Sequence, residues 1–367
     1  MLRKNVLMSL VLNSFSYLPA PANISYWWNW GSMIGVTLVL QILTGLFLTM
    51  HYVSSAECAF DSVVHIHRDV MGGWAMRSMH GNGASLFMFC IYMHIGRGIY
   101  YKSFMNVHVW GVGVVLFILA MITAFLGYVL PWGQMSFWGA TVITNFLSVI
   151  PVYGTDVVNW IWGGFSVGGP TLTRFYTLHY LMPFVIVVFS LLHLVFLHSK
   201  GSGNPLGVSS KSLKFNFWPY SLVKDYNSFL TILVFYLLVV FFFPNVFGDP
   251  ENFMKANSLV TPVHIKPEWY FLFAYAILRC IPNKSMGVVA LVMSVVVLLF
   301  LPMLNMVNKN FYVKGNSLMR KMVFWVFSFN FLVLTWLGGS PVEEPYIFLA
   351  QVSSVLYFFS IMMLGIL

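Results

Sequence analysis

Charge is scarce in this chain. Asp, Glu, Lys and Arg make up 8% of its 367 residues, where a soluble domain carries about 25%. Cysteine is scarce too. Cys58, Cys90 and Cys280 form an odd, scattered set, which argues against a disulfide framework and against a cluster-ligand motif. Cys90 lies among apolar neighbours and reads as packing. There is no CxxCH string, no low-complexity linker and no water-soluble domain. The apolar cores also lack acidic residues, which a proton-coupled transporter built on intramembrane carboxylates would need.

What fills the chain instead is hydrocarbon: 59% of its residues are hydrophobic. Apolar runs of at least about 18 residues read as transmembrane helices. Eight such runs occur, at 31–50, 80–100, 108–130, 176–197, 228–247, 286–304, 321–338 and 345–366. The expected fold is therefore an all-α integral membrane protein with eight spans. The first 27 residues are basic and apolar without a convincing small-residue cleavage site, and they read as an N-terminal surface segment whose helix ends at Pro19 and Pro21.

The net charge of +9 does not point to nucleic acid, because of where the charges lie. With the N-terminus inside, the inside segments hold Arg3, Lys4, Arg97, Lys102, Lys200, Lys211, Lys214, Lys224, Lys309, Lys314, Arg320 and Lys321, opposed only by Asp225. The other side holds most of the acidic residues. This asymmetry follows the positive-inside rule and orients the chain in a lipid bilayer. Three long connections, 52–79, 131–175 and 248–285, then fall outside. The second opens as a short surface helix followed by a Gly-rich turn. A split near 215 separates a four-helix bundle (28–215) from a second four-helix group (216–367) that carries the string PEWY.

Two pairs of histidines lie inside the apolar runs: His80 and His94, then His179 and His193. Each pair is separated by 14 residues. On a helix that interval rises about 21 Å and falls only about 40° short of whole turns, so each pair stacks on one face. A lone membrane histidine is more often a packing residue. Two pairs at one interval on separate helices point instead to two bis-imidazole metal sites, and haem is the cofactor whose size needs two facing helices. Gly31 and Gly45, and Gly113 and Gly127, repeat the same interval in the first and third runs. Helix-interior glycine costs about 1 kcal/mol relative to alanine. The glycines fit flat macrocycles lying against them, or small-residue helix contact. Arg77 and Arg97 flank the ligands as cations suited to haem propionates, or as interfacial snorkelling residues.

Pro267 in PEWY should start a short helix. Glu268 after it is a carboxylate in aromatic surroundings, where a raised pKa suits proton acceptance. The plainer role is a first-turn acid offsetting the helix dipole.

The strings WWNWGSMIG, SMHGNGASLF, MHIGRGIYY, GYVLPWGQMSFWGATVITN, IWGGFSV, TLTRFYTLHY, PYSLVKD, KPEWYFLFAYAILR and SVLYF resemble the mitochondrial cytochrome b family, the haem- and quinone-bearing subunit of the cytochrome bc1 complex. The resemblance covers nearly the whole chain. The related cytochrome b6 is split in two chains and spaces its second histidine pair one residue wider. The resemblance implies that His80 and His179 hold a low-potential b haem near the outside, and His94 and His193 a high-potential one near the inside. Matching depths along the two helices gives the same pairing.

It further implies an outside quinol pocket of Glu268, Tyr128, Gly139, Phe125, Pro267, Phe271 and Tyr275. An inside quinone pocket would be formed by His198, Lys224, Asp225, Trp28, Ser32, Ser202 and Phe217. Lys224 and Asp225 also fit a plain interfacial charge pair. The implied activity is quinol:cytochrome c reduction by a Q cycle on ubiquinone or a related quinone. Implied partners are a Rieske iron–sulfur protein, cytochrome c1, other bc1 subunits and a second copy of the complex. The implied location is the mitochondrial inner membrane with the N-terminus in the matrix. Gly168–Gly169, Lys200 and Glu344 depart from the family pattern. A dihaem anchor for a dehydrogenase is the rival class, and it predicts no PEWY loop and fewer helices.

Overall fold

The computed structural model describes residues 16–210, 212–307 and 318–367. The expected N-terminal surface helix lies almost wholly outside them. The architecture is all-helical apart from one small antiparallel pair, β1 (Pro19–Pro21) with β2 (Lys214–Asn216). That pair ties the segment before the first span to the connection after the fourth.

The long helices are α1 (Trp30–Thr49), α3 (Gly73–Tyr100), α4 (Val107–Val129), α7 (Gly169–Lys200), α8 (Tyr220–Phe242), α12 (Leu318–Gly338) and α13 (Tyr346–Ile366). The expected span at 286–304 is one rod of two α-helices, α10 (Lys284–Val296) and α11 (Leu301–Val307), joined by a 3-10 turn at Val297–Phe300. Among the described residues, seven helices are long and apolar enough to cross a membrane. The eighth expected span, α3, is 28 residues long. It falls outside that set because it is too polar: Ser78, His80, Asn82, Ser85, His94 and Arg97 lie along it. Its apolar run is extended by Gly73–Met79, so the outside connection before it ends sooner than expected.

The bundle is built from two paired rods. α1 packs along α3, and α4 packs along α7. The glycine-bearing helix of each pair thus lies beside a histidine-bearing one. α8 leans on α3, where the Tyr236 hydroxyl donates to the Met79 carbonyl at 2.6 Å. The second group packs α12 and α13 around α9 (Leu272–Arg279). Asn330 donates across the α12–α13 seam to the Ser353 carbonyl at 2.8 Å, as membrane helices often do where hydrophobic driving force is absent.

The outside connections contain α2 (Ala59–Arg68), α5 (Gln134–Asn145) and α6 (Gly154–Trp162). Gly72, with φ of +72°, turns α2 into α3 in a conformation that side chains disfavour. α5 is not a surface helix. Met135, Ser136 and Ala140 are fully buried, because the 248–285 connection closes over it. Gln134 accepts from the Asn257 amide at 2.7 Å and donates to the Val260 carbonyl at 3.0 Å. Asn252 accepts from the Ser136 amide at 2.9 Å. Arg320 is another departure from expectation. Read as an inside surface cation, it is 2% exposed and donates to the Ile99 carbonyl at 2.6 Å and to the Leu364 carbonyl.

Gly338 ends α12 against the start of α9, and a Cβ there would collide with the Leu272 carbonyl. Gly338→Val should destabilise the fold by about 1–3 kcal/mol, as overpacked core sites do. The readout is the thermal unfolding midpoint of the detergent-solubilised complex, and an unchanged midpoint contradicts this packing.

Candidate functional site

The four histidines meet in two pairs. His80 faces His179 with ring centroids 6.2 Å apart. His94 faces His193 with centroids 6.4 Å apart. Along α3 and α7 the two levels are separated by about 21 Å of helix rise. Each glycine opposes one imidazole. A Cβ on Gly45 would lie 3.1 Å from His80 Cε1, one on Gly31 3.4 Å from His94 Cε1, and one on Gly113 3.2 Å from His193 Cε1. A Cβ on Gly127 would collide with the His179 ring. The glycines therefore admit the ligand rings themselves. This is a closer neighbour than the macrocycle faces expected from the spacing.

Hydrogen bonds set the outer pair. The Thr44 hydroxyl donates to the Leu40 carbonyl at 2.7 Å, so it meets His80 Nδ1, 3.0 Å away, as an acceptor. His179 Nδ1 donates to the Thr123 carbonyl at 2.8 Å. Both Nδ1 atoms carry the proton, which leaves both Nε2 lone pairs for a metal. A metal bonded to both rings at about 2 Å would hold the centroids about 6.3 Å apart, as both pairs are. Among the described residues no group of three or more His, Cys, Asp or Glu could hold a metal. An ion at either pair must therefore bring most of its own ligands, as the iron of haem does. At the inner level the Arg97 guanidinium lies 3.3 Å from His94 Nδ1 and 5.3 Å from the Trp28 ring, and its Nε is buried without a hydrogen-bond partner.

A small cavity of about 20 Å³ opens at the outside end. It is lined by Phe125, Tyr128, Gly139, Pro267, Glu268, Phe271 and Tyr275, so α4, α5 and the PEWY segment do converge. Val142, Ile143, Ile265 and Lys266 line it as well. Sequence reasoning missed these four, although Val142 and Ile143 sit one helical turn beyond Gly139 on α5. Glu268 precedes a 3-10 turn, Trp269–Phe271, and accepts the Phe271 amide on its carbonyl at 2.9 Å. Its side chain is half-buried. Burial pushes its carboxyl up to about 7, and the nearby Asp249 carboxylate adds to the rise. Arg77 and Lys266 pull the other way. Lys266 is itself held by Asp249 at 3.3 Å. The PEWY segment is fastened to α3: Trp269 Nε1 donates to Ser85 Oγ at 3.1 Å, and the Tyr92 hydroxyl donates to the Tyr270 carbonyl.

At the inside end the residues are less closely gathered. The Ser32 hydroxyl donates to the Asn29 carbonyl at 2.8 Å and sits against the Asp225 carboxylate. Lys224 Nζ donates to the Ile24 carbonyl at 2.5 Å and lies 5.1 Å from the Tyr26 ring. Trp28 packs against Tyr101 with ring centroids 4.8 Å apart and planes tilted by 47°. Phe217 is anchored by its amide to the Leu18 carbonyl at 2.8 Å. Among the described residues, no hydrogen bond or ion pair joins His198 or Ser202 to this group. Asn29, 5% exposed, was not foreseen. It donates to Ser228 Oγ at 2.8 Å and to the Lys224 carbonyl at 3.0 Å, locking the start of α1 to α8. Lys200, one of the departures from the family pattern, ends α7, where a cation suits the helix dipole.

Two stacked pairs of facing histidines in a bundle of apolar helices, with a pocket at one end, fit the class of membrane electron-transfer proteins. Residues 15–201 match the family described as Cytochrome b/b6/petB, and residues 255–358 match Cytochrome b(C-terminal)/b6/petD. A solved chain described as "Hyperthermophilic respiratory Complex III" superposes with a TM-score of 0.90 at 30% identity, over 99% of this chain and 97% of that one. The chain belongs to the cytochrome b family of the bc1/b6f type, and is a multi-pass, haem-binding membrane subunit.

The Gly127–His179 contact gives a direct test. Gly127→Val should displace the His179 imidazole and remove one of the b-type absorbance components of the membranes. Gly35→Val, where a Cβ meets nothing within 4 Å, should leave the spectrum intact. Equal spectra for the two variants would contradict the contact.

Proposed function

We propose that this chain is the quinol-oxidising core of a ubiquinol–cytochrome c oxidoreductase. One observation carries the reading. Two histidine pairs at matched depths, each ring admitted by its own glycine, connect a pocket holding an ionisable carboxylate to the far side of the membrane. In this reading α3 is the eighth span, residues 28–215 form the dihaem bundle, and residues 216–367 form the group that supplies the outside pocket. His80 with His179, and His94 with His193, hold two b haems. Arg77 and Arg97 pair with the propionates. When bound, the haems supply one-electron carriers in series between the two sides.

The chain's own residues handle substrate and protons. Quinol, ubiquinol or a relative, lies in the outside pocket among Phe125, Gly139, Pro267, Phe271 and Tyr275. Glu268 accepts one of the two quinol protons and the other passes to water on the outside, with Tyr128 across the cavity orienting the ring. One electron leaves for a Rieske iron–sulfur protein and onward to cytochrome c1, and the other enters this chain. At the inside pocket Asp225, Lys224 and His198 deliver protons to quinone, bounded by Trp28, Ser32, Ser202 and Phe217. Oxidation outside and reduction inside make a Q cycle, which moves protons across the membrane. The charge asymmetry supports a matrix-side N-terminus in the mitochondrial inner membrane, within a complex that pairs with a second copy of itself.

The test is the pH profile of quinol oxidation. Glu268 accepts a proton only as the carboxylate, which is populated above about 7. The rate should therefore rise with pH through that region and then level. Glu268→Gln should slow turnover by about 10²–10⁴-fold, the usual worth of a positioned base, flatten the profile and leave both haems bound. Normal turnover in that variant removes Glu268 from the mechanism.

A further inference from the structure

The two levels of the bundle repeat in their histidines and glycines but differ in one hydrogen bond. On α4 and α7 the design is the same at both depths. The backbone carbonyl four residues before the glycine faces the ligand ring: Thr123 before Gly127, and Val109 before Gly113. Thr123 bonds His179 at 2.8 Å, whereas Val109 faces His193 more loosely, outside hydrogen-bond geometry. On α1 and α3 the levels diverge. The residue before Gly45 is Thr44, and the residue before Gly31 is Trp30. A hydroxyl therefore meets His80, while the residue at the matching position before Gly31 is a tryptophan, whose ring packs on Phe89. In place of a neutral acceptor, His94 Nδ1 has the Arg97 guanidinium as its neighbour, 3.3 Å away.

Thr44 is also firmly placed. Its proton is committed to the Leu40 carbonyl at 2.7 Å, so only its lone pairs face the ring. Gln41, one turn earlier, donates to the His80 carbonyl at 3.0 Å, and Gly45 receives the ring edge. Gln41, Thr44 and Gly45 thus cradle His80 by its backbone, its Nδ1 proton and its Cε1.

We infer that Thr44 is a positioning residue that lowers the reduction potential of the outer site relative to the inner one. An acceptor on the Nδ1 proton gives the imidazole more anionic character and makes it a more basic ligand, which favours the oxidised metal. The positive charge of Arg97 beside the inner ring acts the other way, because it disfavours the more positive, oxidised metal. The difference between the two levels is then written into α1 as threonine against tryptophan. This rests on the proposed haem ligation.

The experiment is a redox titration of the b-type absorbance in the intact complex, comparing native protein with Thr44→Val and Thr44→Ser. Valine keeps the shape and removes the acceptor, and serine keeps the acceptor. Thr44→Val should shift the outer component upward by at least a threefold change in its oxidised-to-reduced ratio, about 30 mV for a one-electron couple. The inner component should stay in place, and Thr44→Ser should titrate like the native protein. Loss of the outer component in Thr44→Val with its retention in Thr44→Ser supports the same hydrogen bond. An unshifted outer component in Thr44→Val, an equal shift of both components, or loss of the outer component in both variants overturns the inference. Failure to find b-type absorbance in the native complex would instead sink the ligation on which it rests.

Discussion

An imidazole held in hydrocarbon must keep one nitrogen protonated and partnered, and its ring edge needs space against a neighbouring backbone. Much of the bundle follows from meeting the demand for space four times and the demand for a partner at the outer level. Space comes from Gly31, Gly45, Gly113 and Gly127, each opposed to one ring. This is why α1 must lie along α3 and α4 along α7. Partners come from Thr44 and Thr123 at the outer level, so the nitrogens that face each other there are free to bind metal. An unpartnered polar group at this depth costs a few kcal/mol. These contacts therefore fix ring orientation as well as chemistry.

The outside pocket depends on the same helices. Glu268 stands in a segment with little regular structure, yet that segment is fastened to α3 through Ser85 and Tyr92, which lie on the helix between the two histidines. Its other wall is α5, buried under the 248–285 connection by the Asn252 and Gln134 contacts. A carboxyl that titrates near neutrality is thereby held beside the outer histidine pair, with Arg77 between them in charge and Asp249 opposing it. The Glu268 segment and the outer histidine pair share one support, α3.

Much of this was legible in the sequence because it is periodic. The 14-residue interval in histidines and glycines carries the pairing, and the run lengths carry the helices. Polarity misleads at α3: the residues that make it functional take it below the hydropathy of a membrane span. Tertiary contacts were not legible. Asn29 looks like a helix-start residue and proves to be a lock between α1 and α8. Arg320 looks like a surface cation and is buried. α5 looks like a surface helix and is covered by a connection more than 100 residues away in sequence. Val142, Ile143, Ile265 and Lys266 enter the pocket only because that connection folds back. Thr44 lies beside a glycine that the interval singles out, but its role depends on which way its hydroxyl proton points.

The inner histidine pair has different neighbours. There the rings face a guanidinium and a loose carbonyl, and the polar groups of Ser32, Lys224 and Asp225 are tied to backbone and to one another. The two ends of the bundle are thus chemically unlike although their ligand spacing is the same. The central claim is that each end carries one metal held by two histidines. Electron paramagnetic resonance of the oxidised, purified complex tests it most directly. The account predicts two distinct low-spin ferric signals of bis-imidazole type, with two haems per chain. A single signal, or a high-spin signal from a five-coordinate iron in the undamaged complex, would contradict it.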